Sequence, residues 1–198
     1  MKDKHQALDK LRKKMLKADL PLKKTALSLV FGAGSLDPDV FFIGEAPGAN
    51  EDKQGLPFIG SAGKNLERLL QSIGLTRDSV YITSIIKYRP PKNRQPTFLE
   101  IKEHTPFLID QIRIIQPRLI VSLGNFATRF MLSMGDITQM GRVPGITQLH
   151  GKAQNLRFED MSLTVMPVFH PAALLYNPAL KKSLEEDFQR IVPLLKTI

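Results

Sequence analysis

The chain of 198 residues contains no cysteine. That absence excludes disulfides, thiolate metal sites, iron–sulfur clusters and a cysteine nucleophile together. No apolar run approaches the roughly 18–20 residues of a membrane span, and the basic N-terminus lacks the apolar core of a secretory signal. The expectation is a soluble, cytoplasmic protein with no membrane partner. Internal repeats, low-complexity tracts and interdomain linkers are also missing. One domain over residues 1–198 is therefore expected, with 42% hydrophobic residues to fill its core. Acidic residues are the scarce class, 19 against 28 Lys and Arg, for a formal charge of +9. Such a surplus favours a polyanionic partner, nucleic acid or an anionic membrane surface. Nine basic and three acidic residues fall in Met1–Lys24, so about +6 of the excess sits there. This first segment reads as a basic helix, either solvated or touching the polyanion.

Leu8, Leu11 and Met15 recur at helical spacing ahead of a turn at Leu20–Pro21, which predicts a short amphipathic helix packed on the domain. Val40–Ile43, Val80–Thr83, Leu119–Ser122 and Leu163–Met166 are short β-prone runs, each followed closely by turn residues. Helical patterns lie between and after them, over Ser61–Ile73, Thr97–Ile115, Asn125–Met134 and Leu180–Leu195. Thr97 and Glu100 form a capping box behind Pro96. Strands alternating with helices predict an α/β fold of three α/β/α layers around a central four-stranded parallel sheet. Ligands of such sheets bind at the carboxyl ends of the strands.

Two segments there are candidates for chemistry, and a third, elsewhere, is rejected. Gly44-Glu-Ala-Pro-Gly48 follows the first strand and could turn main-chain donors toward a ligand, or serve only as a tight turn. Gly60-Ser-Ala-Gly63-Lys64 is not a phosphate loop, because Phe58 and Asn65 stand where glycine and Ser or Thr are needed. His170 lies just past the last strand, where a lone histidine is either structural or functional. His5, His104 and His150 show no ligand spacing, so no metal is expected. Lys87–Pro96 is a proline-rich loop with four basic residues.

Four strings in order, Gly44-Glu-Ala-Pro-Gly48, Gly55-Leu-Pro-Phe-Ile-Gly-Ser-Ala-Gly63, Val80-Tyr-Ile-Thr83 with Arg89-Pro-Pro91, and His170-Pro-Ala172 with Asn177-Pro-Ala-Leu180, together resemble the family 4 uracil-DNA glycosylases. The resemblance implies an enzyme acting on DNA that contains uracil or another deaminated base, through a nucleotide flipped out of the stack. It implies Phe58 as the aromatic under the base and His170 as the donor to the leaving base. Glu45 and the Ala46 main chain would lie beneath the sugar, and Gly44 and Ser84 beside the base. Glu51 matches a position that crowds the C5 edge of the base, unless it is merely a first-turn carboxylate. Arg89, Lys92, Arg94, Lys181 and Lys182 would hold phosphates, while Leu174 and Leu175 would wedge into the vacated stack or pack their helix.

Two departures qualify the match. The family's four cluster cysteines are replaced by Lys17, Leu20, Tyr88 and His104, so no cofactor is expected and packing by Leu20 and Tyr88 must substitute. The family's base-reading asparagine is Ser84, whose hydroxyl cannot match an amide's paired pattern, so strict uracil specificity does not follow and xanthine or hypoxanthine stays open. The leading expectation is a monofunctional, monomeric, nucleoid-associated hydrolase. Its rivals are a catalytically weak nucleic-acid-binding module of the same fold and a small-molecule nucleotide binder.

Overall fold

The computed structural model describes residues 2–158 and 161–196. Its strands are β1 (Ala33–Gly34), β2 (Phe41–Gly44), β3 (Tyr81–Ser84), β4 (Leu119–Leu123), β5 (Gln154–Phe158) and β6 (Met161–Val168). They form one sheet in the order β1-β3-β2-β4-β6-β5. β3, β2, β4 and β6 are mutually parallel, the four expected from sequence. Two antiparallel edge strands complete the sheet and correct its strand count to six. Both lie outside the pattern of a buried apolar run. β1 spans two residues, one of them glycine, and β5 begins with Gln154 and Asn155 and alternates partly buried with exposed positions.

The helices are α1 (Lys2–Lys17), α2 (Ala49–Gln54), α3 (Ser61–Ser72), α4 (Phe98–Ile115), α5 (Gly124–Leu132), α6 (Ile146–Leu149), α7 (Lys181–Gln189) and α8 (Ile191–Leu195). The expected single helix over Leu180–Leu195 is broken at Arg190. Pro193 explains the break, since it has no N–H to donate and its ring crowds the carbonyl four residues back. Successive strand residues face opposite sides of the sheet. Phe41, Ile43, Ile120 and Val165 pack toward α1, α4 and α5. Phe42, Val121, Met166 and Val168 pack toward α3, α7 and α8. The result is three layers.

Thr97 and Glu100 make the expected capping box, with Thr97 Oγ1 accepting from the Glu100 amide and Glu100 from the Thr97 amide. α1 lays Leu8, Leu11 and Met15 into the core beside α4. Lys4 donates to the Ile115 carbonyl at 2.9 Å, meeting one of the unpaired carbonyls at the end of α4.

At the four positions where the resembling family carries cluster ligands, this chain has no thiolate. Leu20 and Tyr88 are buried, and the Tyr88 ring meets His104 edge-on at 6.0 Å. His104 on α4 accepts from the Lys87 amide at Nδ1, 3.1 Å, and its Nε2 faces the Pro21 carbonyl at 3.3 Å. One side chain thereby ties the N-terminal segment and the proline-rich loop to α4. With both ring nitrogens engaged and no sulfur present, these residues do not fit an iron–sulfur cluster.

Those bonds require a neutral imidazole with its proton on Nε2. Burial holds the His104 pKa down to about 4. The unfolded chain takes up this proton near pH 6.5, so the stabilisation is fully present above that pH and is lost as pH falls from about 6.5 toward 4. The thermal midpoint should therefore drop on acidification through this window. His104→Gln should show a lower midpoint at neutral pH but a flatter dependence, readable by calorimetry at several pH values. An unchanged slope would show that His104 titrates alike in both states.

Candidate active site

The carboxyl ends of β2, β3 and β6 open into one cavity of about 500 Å³, walled by Glu45, Ala46, Glu51, Phe58, Ser84 and His170 among others. The Ile85 amide donates to the Gly44 carbonyl and the Ile86 amide to that of Glu45, so the chain beyond β3 stays zipped to the chain beyond β2. Ser84 ends β3 and is 3% exposed.

Phe58 carries a φ of 51°, an unfavourable left-handed conformation for a bulky residue. Several groups hold it there. Arg77 donates to the carbonyls of Pro57 at 2.6 Å and Phe58 at 2.8 Å. Glu51 Oε1 accepts from the amides of Ile59 at 2.9 Å and Gly60 at 2.8 Å. Two glycines make the room. A Cβ on Gly63 would lie 1.9 Å from the Phe58 carbonyl oxygen, and one on Gly44 would lie 2.7 Å from the Phe58 ring. Strain so overdetermined is a mark of a functional position.

His170 follows β6 and caps the short turn Pro171–Leu175, its Nδ1 accepting from the Ala172 amide at 3.1 Å. The lone pair on Nδ1 is thus committed, and the neutral ring carries its proton on Nε2. Burial pushes the His170 pKa down to about 4, so the ring is an uncharged donor at neutral pH. Its centroid lies 5.6 Å from that of Phe58, with the rings tilted by 31°. A planar group between the two would need two contact gaps of about 3.5–4 Å each, so this spacing leaves no room for one to be sandwiched between them. Glu45 faces the same cavity, and burial raises its pKa above the usual carboxylate value.

Residues 31–196 match the model of the uracil DNA glycosylase superfamily. The chain is 46% identical over 162 residues to a type-4 uracil-DNA glycosylase of Sulfurisphaera tokodaii, covering 81% of this chain and 71% of that protein. Type-4 uracil-DNA glycosylases of Archaeoglobus fulgidus and Thermotoga maritima are 41% and 39% identical, covering 86% and 89% of this chain and 83% and 88% of theirs. The chain belongs to the uracil-DNA glycosylase superfamily.

Within this family fold, the residues singled out in the sequence divide into three groups. Glu45, Ala46, Glu51, Phe58, Ser84, Arg94, His170 and Leu175 share the cavity wall. Gly44 is not part of the wall and lies beneath the Phe58 ring, where its missing side chain matters more than its amide. Arg89, Lys92, Leu174, Lys181 and Lys182 lie outside the wall.

Three further expectations change in detail. Arg94 is committed to Glu100 through a two-bond ion pair that also holds the Glu100 pKa down to about 2, so it is not a free phosphate ligand. Glu51 is no loose surface carboxylate, because it clamps the loop that carries Phe58. Leu174 packs against the core, leaving Leu175 at 51% and Tyr176 at 87% exposure as the projecting pair. Sequence reading missed Tyr176, although an aromatic between Leu175 and the Asn177–Pro178 turn was a visible signal. It also missed Arg77, for which a lone arginine some twenty residues from Phe58 offered none.

Arg77→Ala removes both donors to the strained loop and should cost about 1–3 kcal/mol of stability, measured by denaturant unfolding. Little change would show that the loop holds its shape without the guanidinium.

Proposed function

We propose that this protein is a monofunctional, monomeric glycosylase that hydrolyses the N-glycosidic bond of uracil or a related deaminated base in DNA. It would leave an abasic site for base excision repair, acting beside the nucleoid in the cytoplasm. The observation that carries this reading is the convergence of the Phe58 ring, the Nε2–H donor of His170 and the Glu45 carboxylate on one cavity. A pure nucleic-acid binder has no use for such a pocket. The activity named for the relatives points the same way.

Extruding a nucleotide costs a few kcal/mol of stacking and pairing, and stacking on Phe58 offsets about 1–3 kcal/mol of it. Leu175 stands exposed on the cavity wall with the exposed Tyr176 next to it in sequence, a pair suited to fill the vacated stack. As the bond from C1′ to the base nitrogen lengthens, negative charge gathers on the base and positive charge on the sugar. His170 donates Nε2–H to a base carbonyl as that charge builds, and its low pKa keeps it a donor without a prior charge of its own. Glu45, with the main chain of Ala46, lies on the sugar side, where an ionised carboxylate stabilises the cationic centre and orients the attacking water. Glu51 acts on the base through the loop it holds, and Ser84 offers the base edge one hydroxyl. Lys92, Lys181 and Lys182 are exposed and Arg89 half-buried, available to phosphates. A single hydroxyl reader supports a base range wider than uracil.

Purified protein should release base from oligonucleotides bearing uracil, xanthine or hypoxanthine, detected as alkali-labile abasic sites. His170→Ala should lower the rate at least about tenfold, and Ser84→Asn should favour uracil over the purines. An unaltered rate in the histidine variant would misplace the site, and no release from any substrate would favour the binding module.

The rate should also show no inflection near pH 6.5, because His170 is already neutral there. It should fall on the acid side once Glu45 is protonated, above the usual carboxylate range. A loss of kcat as pH rises through about 6.5 would mark a histidine that must be protonated and contradict the His170 assignment, and a rate that holds unchanged on the acid side would contradict that of Glu45.

A further inference from the structure

A hydrogen-bonded His–Asp pair lies next to the end of β6, close to Phe169 and so one residue from His170, and takes no part in the chemistry above. Asp187 on α7 is 1% exposed. Both of its carboxylate oxygens lie 3.0 Å from Nδ1 of His150, just beyond α6. The His150 ring lies 4.3 Å from that of Phe169, tilted by 36°. Burial raises the Asp187 pKa above the usual carboxylate value, opposed in turn by His150, Arg190 and the Phe169 backbone. Arg190 approaches Asp187 at 3.9 Å and donates to the Gly151 carbonyl at 3.4 Å. Gly151 in turn donates to the Pro167 carbonyl on β6 at 2.8 Å. The turn must be glycine, since at φ +70° a Cβ would sit 2.5 Å from Asp187 Oδ1.

Burying a carboxylate costs several kcal/mol and is commonly bettered by an apolar side chain of similar size. Stability alone therefore gives poor reason for Asp187 at the centre of a layer of Leu, Ile and Phe. What the pair does hold is the exit of β6. The His150–Gly151 turn bonds Pro167, the His150 ring packs on that of Phe169, and the next residue is His170. On the far side Gly124 backs the imidazole so closely that a Cβ there would lie 2.8 Å from His170 Cβ.

We propose that His150 and Asp187 form a positioning pair that fixes the Phe169 backbone and so aims the His170 imidazole at the leaving base. The inference rests on the glycosylase reading for its consequence in rate, but not for its structural part. Neither residue touches the cavity.

Asp187→Asn keeps the shape and removes the charge, while His150→Phe keeps a ring on Phe169 and removes the nitrogen. Each should lower kcat by about ten- to a hundredfold, the loss that follows a displacement near 1 Å at a reacting group. KM should stay within about twofold, because base stacking and phosphate contacts are untouched. Amide hydrogen exchange gives a readout independent of activity. In both variants Phe169 and His170 should exchange faster, while β2 and β4 keep their protection. Equal kcat together with unchanged exchange at Phe169 and His170 would overturn the proposal, as would loosening spread evenly over the sheet. Should the wild-type protein release no base, the exchange pattern alone decides the pair's role, and the glycosylase reading fails separately.

Discussion

The structure turns on keeping one imidazole uncharged and aimed. Committing Nδ1 of His170 to the Ala172 amide fixes the tautomer, and burial removes the charge, so this ring on the cavity wall has a single N–H to give, at Nε2. A protonated ring would lose that amide bond and carry its charge into a poorly solvated place. The rest of the site is organised around this donor. β6 delivers it, Gly124 lets the start of α5 close against it, and the Phe58 ring lies 5.6 Å from it on the same cavity wall.

The second constraint is the strained loop at Phe58. A bulky residue at positive φ persists only when its surroundings insist on it, and here Glu51, Arg77, Gly44 and Gly63 each remove an alternative. Two of these four are glycines whose value lies in what they lack. The same economy appears where family relatives would carry a metal cluster. His104 joins three segments with two hydrogen bonds, and Leu20 and Tyr88 fill the space, so the N-terminal helix is secured without sulfur.

Much of this was legible in the sequence because local pattern and global fold agree. The four parallel strands are short buried runs, and the capping box of α4 is written in Thr97 and Glu100. His170 stood out by its place just past a strand, whereas Glu45 and Phe58 were singled out through the resemblance of their strings to a known family. The remainder was hidden for physical reasons. Edge strands need no apolar face, so β5 with Gln154, Asn155 and Arg157 looked like loop. Long-range pairings leave no local mark. Nothing near Arg94 in sequence distinguished a phosphate ligand from a partner of Glu100, and nothing joined His150 to Asp187 across 37 positions. Leu174 and Leu175 are chemically alike, and only the turn geometry sends one inward and the other out.

The account stands or falls on the state of His170, which nitrogen-15 resonances of its imidazole report directly. In the free protein they should show a neutral ring protonated at Nε2 and unchanged from pH 8 down to about 5. A ring that titrates near pH 6.5, or one that carries its proton on Nδ1, would contradict it.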